Sequence, residues 1–185
     1  GTLVAVIFIV VPFAGMNIGM LKLLFAQDPF AMANLDADVK WTGLEALAGA
    51  LLLASLLSGH VLHGQARYRE SMLAVFGGTA LFVTVTLFFF IKRIEGYSQR
   101  AAVEFFESKA DEQCWLMTKG YKSYVPQFYG RVREAKPDET TLWHGPIDRP
   151  VYLSCKVTHV EEVEALGTFD ELYRKNGFVF FKRTP

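Results

Sequence analysis

Apolar residues are unevenly placed along this chain. They form three long runs, at residues 2–25, 41–61 and 72–91, and after that only short bursts between polar stretches. The run at 72–91 holds no charged side chain and stops at Lys92 and Arg93. Roughly 20 mostly apolar residues carry a helix across the hydrocarbon layer of a bilayer. Each run therefore predicts a membrane-crossing helix, and the near absence of a polar face argues against a water-soluble bundle. Thr79, Thr84 and Thr86 are tolerated in lipid because their hydroxyls can bond back to helix carbonyls. In the first run Pro12 predicts a kink, Asn17 calls for a protein neighbour, and Lys22 can snorkel to the interface. Trp41 opens the second run and suits the interface, where its ring is apolar and its N–H is wet. Glu45 and His60 admit two readings: functional ionisable groups within the span, or end groups that reach the headgroups. Their positions near the ends favour the second.

Beyond residue 91 the pattern changes. Residues 97–110 repeat apolar positions at i, i+4 and predict an amphipathic helix with Ser98 as its N-cap. Residues 114–118 and 151–157 have strand length. Residues 122–130 suit a short helix with Pro126 in its first turn. Residues 134–150 read as a loop, punctuated by Pro137, Gly145, Pro146 and Pro150. The end of the chain carries Asn176 and Gly177, which fit either a type I′ hairpin turn or a left-handed cap closing a helix at 169–175. Thr168 and Glu171 suit a capping box, and the cap is the favoured reading. Strand-length runs between helical patterns predict an α/β layer domain. The expected fold class is thus a membrane α-helical region of about three transmembrane helices followed by a small soluble α/β domain, with residues 1–91 as the first part and 92–185 as the second.

Charge sharpens this division. The chain has 19 basic and 19 acidic residues. Residues 1–91 hold only Lys22, Lys40, Arg67 and Arg69 against Asp28, Asp36, Asp38, Glu45 and Glu70. The remainder is nearly balanced with no basic cluster, which speaks against a nucleic-acid partner. Arg67 and Arg69 lie between the second and third runs, and Lys22, Lys40, Lys92, Arg93 and Arg100 near the other ends. The positive-inside rule therefore leaves the orientation open. Asp28, Asp36 and Asp38 read as a solvated acidic loop or as ligands for a divalent cation, and no other cofactor is evident. His60, His63 and Glu70 lack the spacing of a metal site, and His144 beside Trp143 reads as structural. Phosphate-cradling glycine loops, nucleophile elbows and Cys–His patterns are absent, so the tail does not read as an enzyme by itself. Cys114 and Cys155 are either a disulfide or two buried thiols. Gly43, Ala46, Gly49, Ala50 and Ala54 permit close helix packing, against other helices or a second copy. The first run has neither the basic flank nor the cleavage site of a signal peptide.

The order of pieces carries a resemblance. A last span ends in "IKRIEGYSQRAAVEFF"; "TKGYKSYVPQFYG", "DRPVYLSCKV" and "LYRKNGFVFFKR" follow. This resembles the C-terminal end of the bacterial polytopic glycosyltransferases similar to aminoarabinose transferase and protein mannosyltransferase. The resemblance covers most of the chain, most clearly 91–183, and its motifs are ordered aromatic and basic residues without diagnostic spacing. It implies an inner-membrane protein with a periplasmic α/β domain, a polyprenyl-phosphate-sugar donor, a lipid or protein acceptor, and membrane lipid and further helices as partners. Cations stabilise a sugar-phosphate lipid at the membrane surface, and aromatic faces can stack on sugar rings. Lys92, Arg93, Lys119, Tyr121 and Lys122 are the candidate substrate contacts; a solvated loop and ordinary interfacial anchors are the alternative for them. The chain departs from the family in lacking the loop after the first membrane helix that bears the catalytic acids. Its catalytic residues are therefore expected outside this chain, as in a C-terminal segment of something longer. The rival expectation is a non-enzymatic membrane-anchored interaction module.

Overall fold

A computed structural model describes residues 1–131 and 137–185. It divides into two compact units: Gly1–Leu24 with Asp38–Gly96, and Phe25–Ala37 with Tyr97–Pro185.

The first unit is helical. α1 (Thr2–Met16) and α2 (Ile18–Leu24) are followed, after α3 (Pro29–Asn34) of the other unit, by α4 (Ala46–Gly64) and α5 (Tyr68–Gly96). α4 and α5 are long and apolar enough to cross a membrane; α1 and α2 pass the same test only together, bent by 105°. The chain is a membrane-helical region followed by an α/β domain. The bend in the first span falls at Asn17, while Pro12 lies inside α1. The Asn17 side-chain amide donates to the carbonyl of Phe13 at 2.8 Å and competes with the helix ladder there. The core of the unit is Ala5, Ala48, Leu52, Phe82 and Phe90, with Phe8 set edge-on to Phe82 and Phe90 at 5.0 and 4.9 Å. A Cβ on Gly49 would come within 2.5 Å of the Ala5 carbonyl oxygen, so this glycine is what lets α1 and α4 approach. Ser55 Oγ donates to the Ala74 carbonyl at 2.9 Å and Ser71 Oγ to that of Gly59 at 2.7 Å, joining α4 to α5. Large apolar side chains such as Leu57, Phe76 and Phe88 point outward, the arrangement a lipid solvent favours.

The second unit is built on a four-stranded mixed sheet of order β1-β2-β4-β3. Its strands are β1 (Trp115–Lys119), β2 (Val151–Lys156), β3 (Asp170–Lys175) and β4 (Phe178–Arg183). β1 runs parallel to β2; β4 pairs antiparallel with both β2 and β3. Alternation along the strands loads both faces. Trp115, Met117, Leu153, Cys155, Val179 and Phe181 point one way, into a core shared with Leu142, Val160 and Val163. Leu116, Tyr152, Phe178 and Phe180 point the other way, against Ala102, Phe105 and Phe106 of α6 (Arg100–Glu107) and against Phe30 of α3 (Pro29–Asn34). Burial on both sides is why β2 and β4 read as continuous apolar runs rather than alternating ones. β3 is an exposed edge kept soluble by Asp170, Glu171, Arg174 and Lys175.

Several expectations are corrected. Asn176 and Gly177 have φ of 46° and 76° and turn β3 into β4, so the hairpin reading holds and the helix cap does not. Two consecutive positive φ values are what a type I′ turn needs. Thr168 and Glu171 form no capping box: Phe169 between them is buried in the core, and Glu171 accepts from Arg174 at 2.7 Å. The expected loop 134–150 contains α8 (Glu139–His144), capped by Asp138; residues 134–136 lie outside the described residues. α6 starts at Arg100 with Gln99 as its cap, not Ser98. Cys114 and Cys155 are free and buried. They face opposite sides of the sheet, and the register sets Cys155 beside Lys119 at the far end of β1 from Cys114. At about 3.3 Å per residue that separation is well beyond disulfide reach.

Candidate functional site

The end of β1 and the turn after it line a polar concavity of the second unit. β1 ends at Lys119; Gly120, at φ 82°, turns the chain, and α7 (Val125–Phe128) follows. Thr118, Lys119, Tyr121, Lys122 and Glu139 line a hollow of about 600 Å³. The structure therefore brings Lys119, Tyr121 and Lys122 together. Lys92 and Arg93 belong to the helical unit, at the end of α5.

The three side chains are held differently. Tyr121 donates its hydroxyl to Ser154 Oγ at 2.8 Å, and its ring meets Phe178 edge-on at 5.3 Å. Burial pushes that phenol above its ordinary range, so it stays a proton donor at any physiological pH. Lys119 pairs with Glu162 at 2.8 Å and lies 5.7 Å from the centre of the Trp143 ring. Hydrogen bonds from Lys119 and then from His159 hold the Glu162 carboxyl below the usual range. Lys122 is exposed, and among the described residues no acidic partner meets it. Its ammonium is the cation of this hollow that an incoming anion meets without displacing a carboxylate.

Arg93 is already matched. Its guanidinium pairs with Glu45, reaches the Lys40 carbonyl at 3.2 Å, and lies 5.7 Å from the Trp41 ring centre. Glu45 is fully buried and also accepts from the Thr42 hydroxyl at 3.0 Å. Sequence reasoning placed both residues near span ends but did not join them, because they lie 48 positions apart and nothing local links them. Lys92 is exposed at the same helix end.

Of the remaining candidates, Asp28 has backbone partners. Asp28 caps α3, accepting from the Phe30 and Ala31 amides at 3.0 Å each. Among the described residues no three His, Cys, Asp or Glu side chains converge as metal ligands. His144 borders a smaller hollow of about 280 Å³ with Lys119, Trp143 and Glu162. Asp148 accepts from the Trp115 indole at 2.8 Å, which lowers its pKa. Arg183 donates to the carbonyls of Leu142 and Gly145 at 2.7 and 2.6 Å and closes the end of α8.

No family model matches the sequence, and no curated protein matches it. Among solved structures the chain is similar to ArnT from Cupriavidus metallidurans, crystallised bound to undecaprenyl phosphate, with 15% sequence identity and a TM-score of 0.46. The match covers 91% of this chain and 36% of that one, so the chain spans about a third of that protein's length.

Proposed function

We propose that this chain is the C-terminal part of an inner-membrane glycosyltransferase, with its α/β domain on the periplasmic side. The enzyme moves a sugar from a polyprenyl-phosphate carrier to a lipid or protein acceptor. One observation carries the reading: a membrane-length helix continues directly into a sheet domain whose first crossover gathers Lys119, Tyr121 and Lys122 around one hollow. The order of these pieces along the sequence supports it.

Lys122 and Lys119 contact the carrier's phosphate. Lys119 is shared with Glu162, so it engages only when that pair loosens. Tyr121, fixed by Ser154, shapes the hollow. Arg93 holds helices, because Glu45 already neutralises it. The bond to the anomeric carbon breaks with its electron pair leaving on the polyprenyl phosphate, while the acceptor hydroxyl attacks and gives its proton to a carboxylate outside this chain.

The test is release of polyprenyl phosphate from a polyprenyl-phosphate-linked sugar by membranes containing the natural protein. Lys122→Ala should lower kcat/KM by about tenfold, the loss of one charge-assisted hydrogen bond. Membranes that leave every such donor intact would sink the reading.

A further inference from the structure

Read backwards, β3 is its own electrostatic complement: Asp170 and Glu171 open it, Arg174 and Lys175 close it, and Leu172 and Tyr173 lie between. All six residues are exposed. β3 is the outer strand beside β4, and among the described residues its backbone bonds to no backbone other than that of β4. Such an edge is a template for a further strand. Charges on an edge normally deter one, because most sequences bring like charge against them. β3 itself is a sequence that brings opposite charge.

The pleat decides whether this match can be made in space. Residues directly opposite in an antiparallel pair point to the same face of the sheet. In a regular strand Asp170 and Lys175, five positions apart, would point to opposite faces. The pairing with β4 removes that obstacle, because its register shifts between Glu171 and Tyr173 and passes over Leu172. Asp170, Tyr173 and Lys175 therefore lie opposite Lys182, Phe180 and Phe178, on the α6 side. Glu171 and Arg174 lie opposite Phe181 and Val179, on the other side. Contacts fix the first face: Tyr173 meets Phe105 of α6 at 6.2 Å, and Lys175 pairs with Glu104 at 2.7 Å.

We propose that β3 pairs antiparallel with β3 of a second copy of this chain, across a two-fold axis at Tyr173. Asp170 then lies beside Lys175 of the second copy and Glu171 beside its Arg174, each on a shared face and each repeated by symmetry. Leu172 and Tyr173, 44% and 45% exposed, supply the apolar centre. A parallel pairing would set Asp170 on Asp170, and a slip of two residues would break every charge pair, so the charges select one register. The ion pairs that β3 makes within its own chain yield readily: Glu171 with Arg174 and Lys175 with Glu104 are 34–54% exposed, where such pairs contribute little. Six residues a side fall short of the roughly 20–30 of a stable interface, so the dimer is a concentration-dependent equilibrium. It uses the sheet unit alone and holds whether or not the chain handles sugars.

Exchanging charges tests it. The full chain in density-matched detergent micelles is followed by sedimentation equilibrium over a range of protein-to-detergent ratios. The natural sequence should show a monomer–dimer equilibrium. Glu171→Arg sets arginine against Arg174 of the second copy, and Arg174→Glu sets glutamate against its Glu171. Each alone should weaken association at least tenfold. An equimolar mixture of the two variants restores both charge pairs and should associate as the natural sequence does. Should either variant misfold by far-UV circular dichroism, Asp170→Lys with Lys175→Asp makes the same exchange through the other pair. A natural sequence that stays monomeric, a dimer indifferent to both substitutions, or a mixture no better than its components would overturn the pairing.

Discussion

The carboxylate of Glu45, which no water reaches, is paired with the guanidinium of Arg93. Glu45 precedes the first residue of α4 and Arg93 lies in the last turn of α5, so the pair closes the open end of an antiparallel helix hairpin. A buried charge is tolerated only when paired and hydrogen-bonded, and removing one partner costs far more than removing both. Arg93→Ala should therefore destabilise the chain by about 2–3 kcal/mol, less than for a fully buried pair because Arg93 keeps some water contact. Glu45→Gln combined with Arg93→Met should recover most of the loss. Unfolding in mixed micelles, followed by far-UV circular dichroism, measures both; equal losses in the single and double variants would show that the pair is not coupled.

The β3–β4 turn makes a second prediction. Gly177 sits at φ 76°, and a Cβ there would lie 3.0 Å from the Phe30 ring and 3.1 Å from its carbonyl oxygen. Gly177→Ala adds backbone strain to a contact that cannot easily move. It should cost about 1–2 kcal/mol in chemical denaturation of the sheet domain. Asn176→Gly, at the neighbouring positive φ, should change stability by only a few tenths.

The thiols should be inert. Burial pushes Cys114 up to about 11 and Cys155 up to about 12. The thiolate is the nucleophile, so almost none is present at pH 8. Mass spectrometry should find neither cysteine alkylated by a maleimide in the native protein and both alkylated after denaturation. A disulfide recovered from native protein would contradict the register of β1 on β2.

Much of the membrane part was readable because length and apolarity alone decide it: 72–91 can hardly be anything else. Local signals failed where two structures share them. Asn176 and Gly177 serve a helix cap and a hairpin equally, and only the pairing of β3 with β4 separates the two. Asp28 before Pro29, and Asp138 before Glu139, are helix-start signals that lay within stretches read as loops. Pro12 drew attention as the breaker, but Asn17 broke the helix by competing for a carbonyl. At the site, Lys119, Tyr121 and Lys122 lie so close in sequence that grouping them was easy. The partners that set their chemistry, Glu162 and Ser154, come from distant elements and could be found only in the fold.

Glu162 gives a pH prediction. Its folded carboxyl lies below the ordinary range because Lys119 and then His159 donate to it. A lowered folded value means that the interaction stabilises above the usual carboxylate range and is lost as pH falls through the folded pKa. NMR titration of the Glu162 side chain should find its midpoint below that of a free glutamate, and Lys119→Met should move it back up. An unmoved midpoint would remove Lys119 as the cause.

The central claim is that the crossover hollow receives a lipid-linked phosphate. The direct measurement is the affinity of a polyprenyl phosphate for the protein in nanodiscs, for the natural sequence, Lys122→Ala and Glu162→Gln. The account predicts binding that weakens about tenfold in Lys122→Ala, equivalent to about 1.4 kcal/mol, and tightens in Glu162→Gln, which frees Lys119. Affinity unchanged by both substitutions, or no binding at all, would contradict it.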